Sequence, residues 1–155
     1  MTPPRPAALR RVHRLAALLA IAIIAGFQLA TIASEAFGDA AAVVQVKTGV
    51  VMALPVLIAS LIAAVGTGRR LAGGWNGRIV AQKQTRMRIV AAIGVLVLAP
   101  AGIALMIMAR AGAFGTAFIA LQGLEIAAGL VNLALLALNA RDGIALSKRL
   151  SSTRW

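Results

Sequence analysis

Cysteine and tyrosine are absent from this chain, histidine occurs once, and only four acidic residues stand against sixteen lysines and arginines. The absence of cysteine excludes disulfide bonds, thiolate metal sites, iron–sulfur ligation and cysteine nucleophiles. One histidine, His13, cannot supply both axial ligands of a haem held by two histidines. We therefore expect no metal and no bound cofactor.

Residue patterns typical of enzymes are missing too. No glycine-rich dinucleotide fingerprint, phosphate-binding P-loop or HExxH zinc motif occurs in the sequence. The serines have no histidine placed to activate them, which argues against a Ser–His hydrolase. We expect the protein not to be an enzyme.

The net charge of +12 would point to nucleic acid in a soluble protein. Here 61% of the residues are hydrophobic and the mean hydropathy is +0.91, whereas soluble domains are about 45–50% apolar. The basic residues stand in short segments beside long apolar stretches, which is the pattern of membrane topology. We expect a membrane protein without a nucleic-acid partner.

Four stretches of the chain are nearly free of charged residues and are long enough to cross a bilayer. About 20 helical residues, at about 1.5 Å each, span a hydrocarbon core of roughly 30 Å. The sequence predicts an all-α, single-domain membrane bundle of four antiparallel transmembrane helices, with left-handed packing. The expected helices span about residues 15–36, 43–67, 88–109 and 114–139.

The basic residues fall mainly in three segments that four crossings place on one side of the membrane. The N-terminal segment, the loop 68–88 and the tail 140–155 hold fourteen of the sixteen lysines and arginines. By the positive-inside rule, both termini and this loop are predicted to be cytoplasmic. The basic loop is expected to contact anionic headgroups, so membrane lipids are predicted partners.

The first apolar stretch allows a second interpretation. Basic residues from Arg10 to Arg14 are followed by an apolar run and by Ile32-Ala33-Ser34, as in a secretory signal peptide. The run exceeds the usual signal core of about 7–15 residues, which favours a retained membrane helix. Cleavage after the first helix stays open at this point.

Glu125 stands out inside the predicted membrane. A charged, unpaired carboxylate at the centre of a membrane helix costs about 2.5–3.5 kcal/mol, so Glu125 must be paired, protonated or turned inward. Lys47 is the basic residue best placed to pair with it, and Gln28 of the first helix is a second candidate partner. Residues spaced by three, four or seven predict one inward polar stripe on the fourth helix: Gln122, Glu125, Gly129, Asn132 and Asn139.

This polar stripe has three interpretations. Its members form an interhelical hydrogen-bond network worth about 0.6 kcal/mol per pair, line a site for a proton or small ligand, or contact another membrane subunit.

Pro55 and Pro100 each interrupt the hydrogen bonding of a predicted membrane helix. The two kinks either serve ordinary helix packing or open a cleft that faces outward. Small residues spaced by four in the first helix are a candidate helix–helix interface. They are Ala22, Gly26, Ala30 and Ser34.

Five parts of the sequence, spread over most of the chain, together carry a resemblance to known proteins. They are 47–70, KQTRMR at 83–88, LQGLE at 121–125, Asn132, and NARDG at 139–143. Together they resemble a group of small four-helix bacterial inner-membrane proteins. The resemblance implies a bacterial inner membrane and supports interest in the polar stripe of the fourth helix, but it implies no reaction.

The sequence thus favours a non-enzymatic accessory or interaction subunit of the bacterial inner membrane, acting as a homo-oligomer or beside another membrane subunit. The alternative is a minimal proton-coupled small-molecule transporter or binding protein. In that case Glu125 is the protonatable group and Lys47 is its counter-charge. The residues lining the site are then Gln122, Asn132 and Gln28.

Overall fold

The computed structural model describes the backbone of residues 7–73 and 78–152, and this part of the chain is helical with no strand. A π-helical turn, Gly94–Leu98, joins two of the helices into one continuous rod. With that rod counted once, four helices are long and apolar enough to cross a membrane. The α-helices are α1 (Ala7–Phe37), α2 (Ala40–Ala72), α3 (Arg78–Ile93), α4 (Ala99–Arg110) and α5 (Thr116–Ser152).

The helices extend beyond the apolar stretches that predict them. The described parts of the predicted loop 68–88 are largely helical, since α2 runs to Ala72 and α3 begins at Arg78, and residues 74–77 lie outside the described part. The predicted tail 140–155 is likewise helical as far as Ser152, and residues 153–155 lie outside the described part. Lysine, arginine, glutamine and leucine are good helix formers, so a basic flank continues a helix rather than ending it. Both segments therefore contain helix, and their position outside the membrane stays a prediction.

Helix ends follow local turn chemistry instead. The Asp39 side chain caps α2, because its Oδ1 accepts the backbone N–H of Ala42 at 2.8 Å. Gly73 closes α2 with a φ of 26°, and its N–H bonds the carbonyl of Arg69 at 3.2 Å. Gly112, with a φ of 69°, occupies the turn between α4 and α5. Both glycines adopt left-handed backbone that other residues avoid.

The faces of the bundle are reversed relative to a water-soluble protein. Large apolar side chains point outward, and Leu15, Met52 and Leu96 are 67%, 76% and 73% exposed. Polar side chains, among them Lys47, Asn132 and Gln122, are buried. Such a surface would drive aggregation in water but is the ordinary surface of a helix facing lipid. The chain is a multi-pass membrane protein of four helices.

Two apolar clusters make up the interior, one toward each end of the bundle. The first contains Ile24, Leu57, Val90 and Leu136, together with Ala20. The second contains Val43, Leu105, Ala109 and Phe118, with Phe114 packed edge-on against Phe118. Along α2 and α5, buried polar side chains lie between the two clusters, among them Lys47 on α2 and Glu125 on α5.

Polar contacts between helices mark the two ends of the bundle. At one end, called the basic end below, His13 Nδ1 lies 3.0 Å from the carbonyl of Ala64, and Arg86 pairs with Asp142. At the opposite end, the Arg110 guanidinium lies 3.3 Å from Thr48 Oγ1. These contacts place the start of α1 near the end of α2, and the start of α3 near the end of α5.

The rod formed by α3 and α4 departs from α-helical geometry just before Pro100. The N–H of Ala99 bonds the carbonyl of Gly94, five residues earlier. Proline lacks the N–H that would bond the carbonyl one turn before it, and a π-helical turn is one way to absorb the defect. Pro55 behaves differently, because α2 continues through it without a break.

Candidate functional site

The most unusual feature of the interior is an ion pair between α2 and α5. Lys47 Nζ lies 2.6 Å from Glu125 Oε2, and the Lys47 side chain has no exposed surface. The Gln122 amide, one turn before Glu125, donates to the same oxygen at 3.1 Å. The structure thus brings together three of the five residues that the sequence proposes for the site.

The second carboxylate oxygen of Glu125 lies against α4. A Cβ at Gly102 would stand 3.4 Å from Glu125 Oε1, so the carboxylate nearly touches the α4 backbone. Gly102 is itself buried. No spacing in the sequence relates Gly102 to Glu125, because small residues are frequent throughout the apolar stretches.

Gln28 lies beside the ion pair without joining it. Its side-chain amide donates to the carbonyl of Ile126 at 3.5 Å. The same amide fills the space that a Cβ of Gly129 would occupy. Gly129 therefore lets α1 approach α5 closely, and Gln28 links the two helices through a backbone contact.

Asn132 belongs to a separate contact nearer the basic end. Its amide nitrogen donates to the carbonyl of Val90 at 3.3 Å, tying α5 to α3. The seven residues between Glu125 and Asn132 correspond to about 10 Å along the helix axis. Gln28 and Asn132 thus occupy the predicted inward face, but neither has a hydrogen bond to the Lys47–Glu125 pair.

The predicted polar stripe of α5 faces the interior. Gln122, Glu125, Asn132 and Asn139 are between 2% and 9% exposed. Three of their amide oxygens have no donor among the described residues, although each amide donates its own N–H. These oxygens are Gln122 Oε1, Asn132 Oδ1 and Asn139 Oδ1. Buried acceptors of this kind suit ordered water or a small donor ligand.

The small residues of α1 lie mainly on the outside of the bundle, whereas the polar stripe of α5 faces the interior. Ala22, Gly26 and Ala30 are exposed, and a Cβ at Gly26 would meet nothing within 4 Å. Ser34 alone is buried, and its hydroxyl donates to the carbonyl of Thr31. Among the described residues, this exposed face of α1 is therefore not covered by another helix.

The contacts of His13 with α2 are not predicted from the sequence. His13 Nδ1 lies 3.0 Å from the carbonyl of Ala64 and 3.1 Å from Thr67 Oγ1. Its ring also approaches Gly68, since a Cβ built at Gly68 would lie 3.1 Å from His13 Cε1. These contacts join α1 to α2 at the basic end. The sequence signal is a lone histidine beside arginines, which by itself predicts a solvated side chain.

No group of three or more histidine, aspartate or glutamate side chains that could hold a metal ion occurs within residues 7–73 and 78–152. Comparison of the chain with protein-family models, with curated proteins and with solved structures found no match.

Proposed function

We propose that this chain is a non-enzymatic membrane subunit that works by lateral contact, with another membrane protein or with a second copy of itself. The observation that carries the proposal is the outward position of Ala22, Gly26 and Ala30 on α1. Helices associate in lipid through small residues that let two backbones come close. In this chain the closest small-residue contacts of α5 and α4, at Gly129 and Gly102, are already filled from within.

The Lys47–Glu125 pair has a structural role in this proposal. Both charges are neutralised inside the chain, and Lys47 has no surface left for a ligand. Two lone charges in apolar helices favour the one arrangement that joins them, because either charge alone in the membrane is costly. The pair therefore fixes α2 against α5 and leaves the outer face of α1 free for a partner.

The orientation in the membrane is part of the proposal. We place the four helices antiparallel in a bacterial inner membrane, with both termini and the basic end in the cytoplasm. Support comes from the described basic residues Arg69, Arg86 and Arg141, which lie on the parts of α2, α3 and α5 that meet at the basic end. Reporter domains fused to each terminus should both be cytoplasmic, and one inserted at residue 113 should be on the other side.

Enlarging the outward face of α1 tests the proposed contact. Gly26→Leu should weaken cross-linking to a partner or to a second copy in native membranes, because the larger side chain separates the two backbones. Gly123→Leu is the matched control, since Gly123 on α5 is also exposed with nothing within 4 Å of its Cβ position. Equal cross-linking in both variants and the parent protein would contradict the proposal.

A second function has one specific observation in its favour. The unpaired oxygens of Gln122, Asn132 and Asn139 lie on one buried face of α5, over about 25 Å of helix. Water bound along this face would lead from the basic end toward Glu125, as a proton-coupled transporter or binding protein requires. In proteoliposomes, Glu125→Gln should then abolish a pH-dependent flux while the protein still inserts. A lateral-contact subunit should show no such flux with either side chain.

A further inference from the structure

The outer surface of the bundle has a hollow lined mainly by apolar side chains. It lies between α2 and α3, has a volume of about 400 Å³ and is mainly apolar. We call it the α2–α3 groove. Residues lining it include Ile62, Val65, Gly66 and Arg69 of α2, and Met87 and Ala91 of α3.

The groove follows from the way the helices pair. α2 packs against α1 and α4, whereas α3 packs against α5. Gly66 widens the groove, because it has no side chain and a Cβ built at this position would have no atom within 4 Å. The base of the groove is Val90, which is only 1% exposed. The result is a shallow recess on the outside of the bundle, between α2 and α3.

One end of the groove is charged. Arg69 lines it, is exposed, and lies in the last turn of α2. Ile62 lies seven residues earlier, about 10 Å along the helix and within one leaflet of a bilayer core of about 30 Å. The groove therefore combines an apolar length suited to an acyl chain with a guanidinium at the depth of the headgroups.

Arg69 has no acidic partner among the described side chains. The acidic residue at the basic end is Asp142, and it is already 2.6 Å from Arg86 and 3.6 Å from Arg141. Arg70 and Arg88, exposed on the same two helices, add positive charge and no carboxylate. A phosphate from outside the chain is the anion that would complement this end of the groove.

We propose that the α2–α3 groove binds an acidic phospholipid, with one acyl chain along Gly66 and Val90 and the headgroup phosphate on Arg69. A zwitterionic lipid would bring its own ammonium toward the arginines, whereas an acidic lipid would not. At Arg69, the basic residue that lines the groove, we expect this difference to favour the acidic lipid by about fivefold, the factor equivalent to about 1 kcal/mol. This inference does not depend on the proposed lateral contact of α1.

The test is competition between two lipids on the purified full-length protein. Native mass spectrometry is run with equal amounts of phosphatidylglycerol and phosphatidylcholine carrying the same acyl chains. We expect the parent protein to retain phosphatidylglycerol about fivefold more than phosphatidylcholine. Equal retention of the two lipids would overturn the proposal.

Two variants separate the headgroup contact from the acyl contact. Arg69→Gln should remove the preference for phosphatidylglycerol, while Arg70→Gln should keep it, because Arg69 lines the groove. If both arginine variants lose the preference equally, the selectivity belongs to general surface charge and the proposal fails. Gly66→Trp should fill the groove and lower retention of both lipids.

Gly49→Trp is the control for the glycine substitution. Gly49 lies on the same helix, is exposed and has open space at its Cβ position, but it is remote from the groove. Equal lipid retention by Gly66→Trp and Gly49→Trp would contradict the proposal. Millimolar inorganic phosphate should not displace the lipid. Displacement would identify a site for the phosphate ion alone and would also overturn it.

Discussion

The Lys47–Glu125 and Arg86–Asp142 pairs have the same length, 2.6 Å, but lie in different surroundings. Lys47 has no exposed surface, whereas the side chains of Arg86 and Asp142 are 23% and 18% exposed. Water can solvate Arg86 and Asp142 if they separate, and salt screens their attraction. Lys47 and Glu125 have no such alternative. The two ion pairs therefore contribute unequally to the stability of the fold, although their N–O distances are equal.

The difference has a functional meaning. A buried pair is costly to form and more costly to break from one side, so it specifies which helices meet. An exposed pair can open and close without loss of the fold. We infer that the interior pair fixes the bundle and that the basic end is the part able to exchange partners, including lipid phosphates.

Breaking the interior pair from one side should have the largest effect. Glu125→Gln leaves the Lys47 ammonium buried without a counter-charge, which should lower the free energy of unfolding by about 3–5 kcal/mol. Unfolding of the purified protein by dodecyl sulfate in mixed micelles measures this change. A loss below about 1 kcal/mol would contradict a buried, mutually neutralising pair.

The contact between Gln28 and Gly129 lies in the same interior layer as the Lys47–Glu125 pair and should have a smaller effect on stability. Gly129→Ala should be about 1 kcal/mol less favourable than Gly123→Ala, because the new methyl forces Gln28 away from the Ile126 carbonyl. The measurement is again unfolding in mixed micelles. Both glycines are in α5, so the change in helix propensity is the same in both variants.

Removing Gln28 provides the control for that difference. In a Gln28→Ala background, Gly129→Ala and Gly123→Ala should have equal effects, since no amide remains to be displaced. A difference that persists without Gln28 would mean that Gly129 is needed for another reason.

The exposed pair should give the smallest effect. Arg86→Gln should hardly change the resistance to dodecyl sulfate, and added salt should reduce even that change, because both partners are partly exposed. Unfolding at low and high salt measures it. A loss as large as that of Glu125→Gln would show that the basic end also holds the bundle together.

Much of the interior could be predicted because charges in lipid have few alternatives. Lys47 and Glu125 each stand alone beside or within an apolar stretch, so each needs the other. The inward face of α5 also follows from residue spacing, since amides find no partner in lipid. The four membrane helices follow from apolar length alone.

Other features could not be predicted, for physical reasons. Small residues are so frequent here that spacing does not separate Gly129, which faces Gln28, from Gly26, which faces outward. The extension of helices through 68–72 and 78–88 depends on helix propensity in a basic segment that hydropathy treats as loop. The contacts of His13 with Ala64 and Thr67 depend on which helix ends meet.

Exchanging the two charges shows whether the Lys47–Glu125 pair holds α2 against α5. The unfolding of Lys47→Glu, Glu125→Lys and the double variant is compared with that of the parent in the same mixed micelles. Each single variant buries two like charges, and the double variant restores an opposite pair that Gln122 can still meet through its unpaired oxygen. We expect the double variant to recover most of the stability that each single variant loses. A double variant no more stable than the worse single variant would contradict this expectation.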